Sequence, residues 1–365
     1  MINIEHKKRG TFPLFFEKIG GKRIAVLSDL NTNGYADEMI ANLRGAGCEI
    51  EDIYFPLADL VPDERVTGEA KARAADCDYV LAVGSGSLND TAKAASFALG
   101  IPCGVLATAA SMDGYCSVGA AIMQEGFKVT LQTHTPSDVL VDLDIIRKAP
   151  RAMTAAGFGD ILGKFTCLAD WRLSAAITGE MVDEEAYALM EEARGDCFAA
   201  YGGLLHGEGD ATDKLMRALI TAGLAMAKCK NSRPASGGEH HISHYLEMDF
   251  VRRGLAVPLH GFKVGIGTLV CLELYRFIAE CDVDFYGKGE LLRIARTLPD
   301  PSELAKMLAS LGCPTRFSEI GVSRELFEQA LLNAHTVRDR FTVLTLSNRL
   351  SLTEHALPIL AERYY

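Results

Sequence analysis

The chain lacks any apolar run of the roughly 18 residues that a membrane-spanning helix requires. Its first residues, MINIEHKKRGTFPLFF, also lack the continuous apolar stretch of a secretory signal. An excess of basic residues is missing as well, because the 365 residues carry a formal net charge of −11. Nucleic acids and anionic membranes are bound through basic surfaces, so we expect neither as a partner. The sequence therefore predicts a cytoplasmic protein without a membrane-inserted segment.

Closely paired cysteines are absent too. The ten cysteines are scattered through the chain without a CxxC pair, mostly among apolar neighbours. Cysteines of this kind are typical of a reducing compartment, where they pack as small hydrophobic side chains. We predict buried thiols rather than disulfides, with a single functional thiol as the alternative.

Short apolar runs alternate with helical stretches from about residue 22 to residue 150. Runs rich in Val, Ile and Leu, separated by amphipathic helices, predict a parallel α/β sheet. The predicted strands are KRIAVLSDL (22–30), CEIEDIYFPL (48–57), DYVLAVGSG (78–86) and PCGVLATAAS (102–111). The segment KVTLQTHTPSDVLVDLD (128–144) predicts a pair of strands around a polar turn.

The pattern changes after residue 150, where β-branched runs become sparse. Helical periodicity continues in the segments 153–179, 183–205, 213–230, 261–280 and 323–341. We predict an α/β domain at 1–150 followed by an all-helical domain at 151–365. Two domains that meet at one boundary leave a cleft, where ligands commonly bind.

A glycine-rich loop, LAVGSGSLNDTAK, places Gly84 and Gly86 between a predicted strand and a predicted helix. Glycines let the backbone approach a ligand closely, and free N–H groups at a helix start suit a pyrophosphate. The segment is not a GxGxxG motif. An ordinary turn into a helix, with Asn89 or Asp90 supporting its first turn, accounts for it equally well.

Polar residues follow two further predicted strands. The C-terminal end of the strand at 102–111 and the residues after it offer Thr108, Ser111, Asp113 and Ser117, and Asp29 lies at the end of the first predicted strand. Ligands of open α/β sheets bind at this edge, where a carboxylate can hold an adenosine ribose. Each loop taken alone is also consistent with ordinary polar turn and N-cap residues.

Three of the nine histidines occur in GGEHHISHYLEM (237–248). In a helix His240 and His244 share one face, while His241 points about 100° away. His260 follows at or just before another predicted helix, and Asp160 is an acid in an otherwise apolar helix start. One carboxylate and two or three imidazoles suit zinc, nickel or ferrous iron. Hydrogen-bonded histidines and a capping aspartate, without a metal, are the alternative.

Six segments together resemble the sn-glycerol-1-phosphate dehydrogenases, particularly their bacterial branch, in the iron-containing alcohol dehydrogenase and dehydroquinate synthase-like superfamily. They are VGSGSLNDTAK, TAASMDGYCS, AAGFGDILGKFTCLADW, NSRPASGGEHHISHYLEM, LHGFKVGIGT and AHTVRDRFTVLTL. The resemblance spans nearly the whole chain, and SRPASGGEHHISHYLEM is its most specific segment.

The resemblance implies a Rossmann-like N-terminal domain, a helical C-terminal domain, a nicotinamide cofactor, one divalent metal ion (zinc, nickel or iron) and a homo-oligomer. By position it assigns metal binding to Asp160, His240 and His260, and catalysis and substrate binding to Asp160, His244 and Asp113. It assigns the cofactor to Asp29, Gly84, Ser85, Gly86, Ser87, Leu88, Thr108, Ser111 and Ser117. His241 receives no role. Phe262 stands where many relatives carry an acid or an amide, which leaves the finer substrate contacts open.

The activity that the resemblance implies is the reversible reduction of dihydroxyacetone phosphate to sn-glycerol 1-phosphate. A glycerol or other polyol dehydrogenase is the nearest alternative; a dehydroquinate synthase-like lyase and a non-catalytic protein are more distant ones.

Lys164, Arg233 and Lys263 are candidate cations for the substrate's phosphate, with surface roles as the alternative. Two such contacts predict a preference of roughly a hundredfold or more for the phosphorylated ketone. The carboxylate of Asp29 predicts NAD(H) rather than NADP(H), because it repels a 2′-phosphate.

Overall fold

The computed structural model describes residues 2–8 and 11–365. The chain folds into two units, Met1–Pro150 and Arg151–Tyr365. The strands of the first unit are β1 (Asn3–His6), β2 (Arg23–Asp29), β3 (Glu49–Phe55), β4 (Tyr79–Gly84), β5 (Cys103–Ala107), β6 (Gly119–Gln124), β7 (Phe127–Gln132) and β8 (Asp138–Val141). Its helices are α1 (Pro13–Ile19), α2 (Asn33–Gly45), α3 (Glu64–Arg73), α4 (Gly86–Leu99) and α5 (Leu143–Ile146).

Six of the strands form one parallel sheet in the order β1-β8-β5-β4-β2-β3. Every residue of β4 and β5 is buried. A parallel strand covered on both faces needs apolar side chains at successive positions, which is why these segments are continuous apolar runs. The parallel α/β architecture predicted for this half of the chain is confirmed.

The sheet reverses its strand order at β2, which pairs with β3 on one side and with β4 on the other. The connections that leave β2 and β4 therefore diverge, and in open α/β sheets ligands bind outside the carboxyl ends of the strands at such a point. Asp29 is the last residue of β2, and Gly84 is the last residue of β4.

The segment 128–144 contains two strands, as predicted, but they do not pair with each other. β7 pairs antiparallel with β6 across Glu125 and Gly126, whose positive φ angles of 49° and 82° are those of a tight hairpin turn. β8 instead lies between β1 and β5 in the parallel sheet. The edge strand β1, with the sequence NIEH, is too short and too polar to be predicted from an apolar run.

The second unit is helical, and no strand occurs among its described residues. Its helices are α6 (Arg151–Leu162), α7 (Lys164–Thr178), α8 (Glu184–His206), α9 (Gly209–Cys229), α10 (Gly238–Arg252), α11 (His260–Glu280), α12 (Lys288–Thr297), α13 (Pro301–Ser310), α14 (Arg324–Asn333), α15 (Val343–Arg349) and α16 (Thr353–Tyr364). The helical half predicted from periodicity is confirmed.

Two of the predicted helical segments are shorter in the structure. The segment 153–179 divides into α6 and α7 at Gly163, and the segment 323–341 ends its α-helix at Asn333. Beyond that point the chain turns, and the Arg338 and Arg340 side chains donate to Ser232 instead of extending a helix surface.

All ten cysteines are free thiols; eight are buried and two are half-buried, so the absence of disulfides is confirmed for these residues. None of the helices in the described ranges has the length and apolarity needed to cross a membrane.

Candidate active site

Asp160, His240 and His260 come together in the second unit. Asp160 lies near the end of α6, His240 in the first turn of α10, and His260 is the first residue of α11. Each offers one ligand atom, and these atoms all lie within 4.8 Å of one another. The distance from His240 Nε2 to Asp160 Oδ1 is 3.5 Å, and the rings of His240 and His260 are 5.2 Å apart.

Two glycines bring these ligand positions close. A Cβ on Gly261 would lie 1.7 Å from the carbonyl oxygen of Ala156, and a Cβ on Gly159 would lie 2.4 Å from the carbonyl oxygen of Gly261. The backbones of α6 and α11 therefore touch where any side chain would hold them apart. Asp160 and His260 are the immediate sequence neighbours of this contact, which accounts for their proximity.

A buried carboxylate, Glu239, orients the His240 ring. Its Oε1 lies 2.8 Å from His240 Nδ1 and accepts the Gly237 N–H at 2.6 Å, while its Oε2 accepts the Thr166 hydroxyl at 2.6 Å. A carboxylate at Nδ1 keeps the proton on that nitrogen and leaves Nε2 as the ligand atom. This residue is missing from the sequence-based predictions, although an acid directly before a candidate ligand was the available signal.

A second buried carboxylate fixes the start of α10. Asp170 on α7 accepts the Gly238 N–H at 2.8 Å, the Tyr275 hydroxyl at 2.7 Å and the Val343 N–H at 2.8 Å. Burial, together with the charge of Glu239, raises the pKa of Asp170 to about 7. The helix that presents His240 is thus held at its first residue by Asp170 of α7, which Tyr275 of α11 holds in turn.

The charges around Asp160 favour its ionised form. Burial would raise the pKa of Asp160, but the nearby charge of Lys164, with His240 and His260, lowers it well below its usual range. The Lys164 amine lies 3.2 Å from Asp160 Oδ1 and donates to the Ala235 carbonyl at 3.2 Å. An ionised carboxylate beside two imidazoles is a donor set that fits one divalent cation.

The other two histidines of the segment, His244 and His241, have different surroundings. His244 is buried beside the candidate ligands, with its ring centroid 6.2 Å from that of His240 and 6.0 Å from that of His260. His241 is fully buried, and its ring nitrogens have no hydrogen-bond partner among the described residues. Burial and the charges of Arg338 and Arg340 lower the pKa of His241 to about 3, so its ring is neutral near pH 7.

The three candidate phosphate contacts are all engaged with carboxylates. Arg233 pairs with Glu180 through Nε at 2.8 Å and Nη2 at 3.1 Å, and Lys263 lies 3.2 Å from Glu247. Lys164 lies beside Asp160, so its charge is adjacent to a candidate ligand. Of the three, Lys164 is therefore the strongest candidate for contact with a substrate anion.

In the first unit, the glycine-rich loop joins β4 to α4. Gly84 ends the strand, Ser85 is the N-cap residue and Gly86 opens the helix, with Ser87 and Leu88 in its first turn. A Cβ on Gly84 would lie 2.4 Å from the Leu88 side chain, so this position requires glycine. The arrangement leaves the first N–H groups of a helix of 14 residues at the carboxyl edge of the sheet.

The loop after β5 lies next to the glycine-rich loop. The Thr108 N–H donates to the Gly84 carbonyl at 3.2 Å, and Thr108, Ser111 and Asp113 are all buried. The Ser117 hydroxyl lies 3.2 Å from Lys93 Nζ and donates to the Gly114 carbonyl at 3.0 Å. Ser117 therefore stabilises its own loop, and a cofactor contact from it remains a prediction.

Asp29 forms a local turn at the end of β2. Its Oδ1 accepts the Asn31 N–H at 2.9 Å and the Thr32 hydroxyl at 3.0 Å. Burial raises the pKa of Asp29 against the opposing effect of these hydrogen bonds. Its second oxygen is not needed for the turn, and the position matches that predicted for a ribose contact.

Comparison with known proteins identifies relatives over almost the whole chain. A sequence profile of the iron-containing alcohol dehydrogenase family matches residues 3–150. The chain is 36% identical to the glycerol-1-phosphate dehydrogenase [NAD(P)+] of Bacillus velezensis over 92% of its length and 87% of the relative's. It is also 36% identical to that of Bacillus subtilis, over 94% of its length and 90% of the relative's. The protein of that name in Pyrococcus horikoshii is 31% identical over 90% and 86% of the two chains.

Solved structures share the fold at lower identity. An iron-containing alcohol dehydrogenase from Thermococcus thioreducens has a TM-score of 0.74 at 16% identity, over 99% of this chain and 98% of that one. A probable glycerol dehydrogenase from Sinorhizobium meliloti has a TM-score of 0.71 at 19% identity, over 99% and 96% of the two chains. These likenesses establish the fold. The identity to the curated relatives establishes the family, and the chain belongs to the glycerol-1-phosphate dehydrogenases.

Proposed function

We propose that this protein catalyses the reversible reduction of dihydroxyacetone phosphate to sn-glycerol 1-phosphate with a nicotinamide nucleotide. The observation that carries the proposal is the gathering of Asp160, His240 and His260 in a chain 36% identical to enzymes named for this activity. Zinc, nickel and iron all accept one carboxylate and two imidazoles, so the donor set fits each of them.

The candidate ligands and their neighbours would prepare the site for the ion. Asp160 supplies an ionised carboxylate, and Glu239 keeps His240 Nδ1 protonated so that Nε2 is the ligand atom. When bound, a divalent ion supplies Lewis-acid polarisation of a carbonyl group. Asp160, His240 and His260 would hold this ion.

His244 and Lys164 are the residues that we assign to the substrate. The buried His244 ring, one helical turn after His240, would orient a hydroxyl group and move a proton at the reacting oxygen. The Lys164 ammonium, held beside Asp160, would attract the anionic substrate. In the first unit, Asp113 is proposed as a further hydrogen-bond partner of the substrate hydroxyls.

The nicotinamide nucleotide would supply the hydride, and the first unit would bind this nucleotide. Backbone N–H groups from Gly84 to Leu88 suit the pyrophosphate, with Thr108 and Ser111 toward the nicotinamide and Asp29 at the adenosine ribose. We propose NAD(H) as the preferred form, because the Asp29 carboxylate repels the 2′-phosphate of NADP(H). A cytoplasmic homo-oligomer remains the predicted state; free cysteines are typical of such a compartment.

A polyol dehydrogenase is the second candidate, because it would need the same metal ligands. The likeness to a probable glycerol dehydrogenase rests on 19% identity and therefore supports only the fold. A dehydroquinate synthase-like lyase has no comparable support among the three curated relatives from Bacillus velezensis, Bacillus subtilis and Pyrococcus horikoshii.

Product analysis tests the proposal. The purified protein, reconstituted in turn with zinc, nickel and ferrous iron, is incubated with dihydroxyacetone phosphate and NADH, and the glycerol phosphate formed is resolved by an enantiomer-specific assay. We expect glycerol 1-phosphate, loss of turnover with a chelator, and recovery when metal is added back. Formation of glycerol 3-phosphate, or chelator-insensitive turnover, would contradict the assignment.

A further inference from the structure

The second unit contains a cavity of about 330 Å³ that none of the three candidate metal ligands lines. Its wall is formed by the end of α7, by the turn at 335–341 and by α15. Ser174 and Thr178 in this wall stand ten and fourteen residues beyond Lys164 on α7, which places them roughly 15 and 21 Å farther along the helix axis. The cavity is therefore distinct from the candidate metal site.

Arginine dominates the charge of this wall. Arg338, Arg340 and Arg349 line the cavity, against the carboxylates of Glu180 and Asp339. Glu180 already accepts two hydrogen bonds from Arg233, so Asp339 is the other carboxylate that this wall sets against its three arginines.

The charge of Arg340 is not balanced by a paired carboxylate within the described ranges. It donates to the Ser232 and Ser236 carbonyl oxygens and to the Ser232 hydroxyl, and it forms no ion pair with any residue in the described ranges. Burial, aided by the charges of Arg338 and Arg233, lowers the pKa of Arg340 to about 9. Arg340 is half-buried, and a cationic side chain that is partly withdrawn from water is stabilised by a nearby anion.

Two buried polar atoms next to this wall also lack partners. Arg233 Nη1 and His335 Nδ1 make no hydrogen bond with the described residues. His335 lines the cavity, and Arg233 touches two other wall residues, Glu180 and Phe341. Buried polar groups in folded proteins are almost always hydrogen-bonded, so Arg233 Nη1 indicates a missing acceptor and His335 Nδ1 a missing partner.

We propose that this arginine cavity binds a small dianion, in addition to the substrate of the proposed reaction. Guanidinium groups bind phosphate and carboxylate oxygens through paired hydrogen bonds. The volume lies at the lower end of the range for small-molecule sites. In a protein with a net charge of −11, a local excess of arginine is what allows an anion to bind.

Calorimetric titration of the metal-loaded protein tests this site with two probes, inorganic phosphate and succinate, at constant ionic strength. We expect saturable binding of at least one probe, and the stronger probe identifies whether phosphate esters or dicarboxylates are the natural class. Arg349→Gln should weaken that binding at least about tenfold, because it removes a charge-assisted contact. Arg349 is exposed and stacks over Phe341 at 5.0 Å, so the variant should fold, and its melting temperature checks this.

Two further variants distinguish binding in the arginine cavity from binding beside the candidate metal ligands and from a general effect of charge. Arg276→Gln is the matched control, because Arg276 lies in the same unit and pairs with Asp300 at 2.9 Å. It should leave binding unchanged. Lys164→Met removes the cation beside the candidate ligands and should also leave binding in the arginine cavity unchanged. Absence of saturable binding, or binding that is weakened by Lys164→Met and not by Arg349→Gln, would overturn the proposal.

Discussion

Removal of the Glu239 charge should weaken metal binding without unfolding α10. In the structure this carboxylate accepts hydrogen bonds from Gly237 and Thr166 and lies 2.8 Å from His240 Nδ1. Glu239→Gln keeps the shape of the side chain and one oxygen acceptor, but it lowers the basicity of the His240 ring. Glu239→Ala removes the acceptor altogether and leaves Nδ1 unpaired in a buried site.

The expected loss follows from the role of such hydrogen bonds at metal sites. Removal of the partner of a ligating histidine typically costs about 10–100-fold in metal affinity, which is about 1.4–2.7 kcal/mol. We expect about tenfold for Glu239→Gln and about 100-fold for Glu239→Ala. Metal-free protein is titrated with zinc in competition with a chromophoric chelator, so the readout does not depend on enzyme activity.

Asp249→Asn is the matched control for these variants. Asp249 lies on the same helix, nine residues beyond His240, and pairs with Arg252 and Arg253 at the protein surface. It should leave zinc affinity unchanged. Wild-type affinity in both Glu239 variants, with circular dichroism showing unchanged helix content, would refute the role assigned to Glu239.

Four further predictions concern other parts of the molecule. His244→Ala should retain bound metal but lose turnover, whereas His240→Ala should lose the metal; elemental analysis showing the reverse would exchange their roles. Asp29→Ser should reduce the preference for NADH over NADPH, and equal kcat/KM for the two cofactors in the unmutated protein would show that Asp29 does not contact the ribose. Gly261→Ala should destabilise the second unit by roughly 1–3 kcal/mol or more, because its Cβ would lie 1.7 Å from the Ala156 carbonyl oxygen; an unchanged melting temperature would contradict this packing. Burial would raise the pKa of Asp138, but hydrogen bonds from Lys18, Ser137, Tyr79 and Asn3 lower it. The stability that this carboxylate contributes is therefore present at neutral pH and is lost as the pH falls below about 3.9. Asp138→Asn should therefore cost about 1–3 kcal/mol at pH 7 and much less near pH 3, as measured by denaturant unfolding at both pH values.

The parts of the fold that could be predicted are those whose burial follows from the pattern of apolar residues in their own segment. β4 and β5 are continuous apolar runs because both of their faces are covered. β1 and the division of 153–179 at Gly163 could not be predicted in this way. The first is specified by pairing with β8, more than 130 residues away, and the second by the close approach of Val264, 2.9 Å from a Cβ at Gly163.

Prediction of the candidate site from the sequence is limited in the same way. The spacing of His240 and His244 predicts which histidines share a helix face, and the structure places both rings beside His260. Spacing cannot reveal the partners that orient a ring, so Glu239 is not predicted from it. It also cannot show that a candidate cation is already neutralised, as Arg233 is by Glu180.

The ratio of kcat/KM for dihydroxyacetone phosphate to that for dihydroxyacetone tests the proposed function most directly. All three candidate cations are paired with carboxylates, but Lys164 is the one whose partner, Asp160, is a candidate metal ligand, so its charge lies beside the metal ligands. One charge-assisted contact contributes about 1.5–3 kcal/mol, which predicts a preference of at least about tenfold for the phosphorylated ketone. Lys164→Met should reduce that preference in the metal-loaded enzyme. Equal turnover of dihydroxyacetone and its phosphate by the unmutated enzyme would contradict the account and identify the protein as a polyol dehydrogenase.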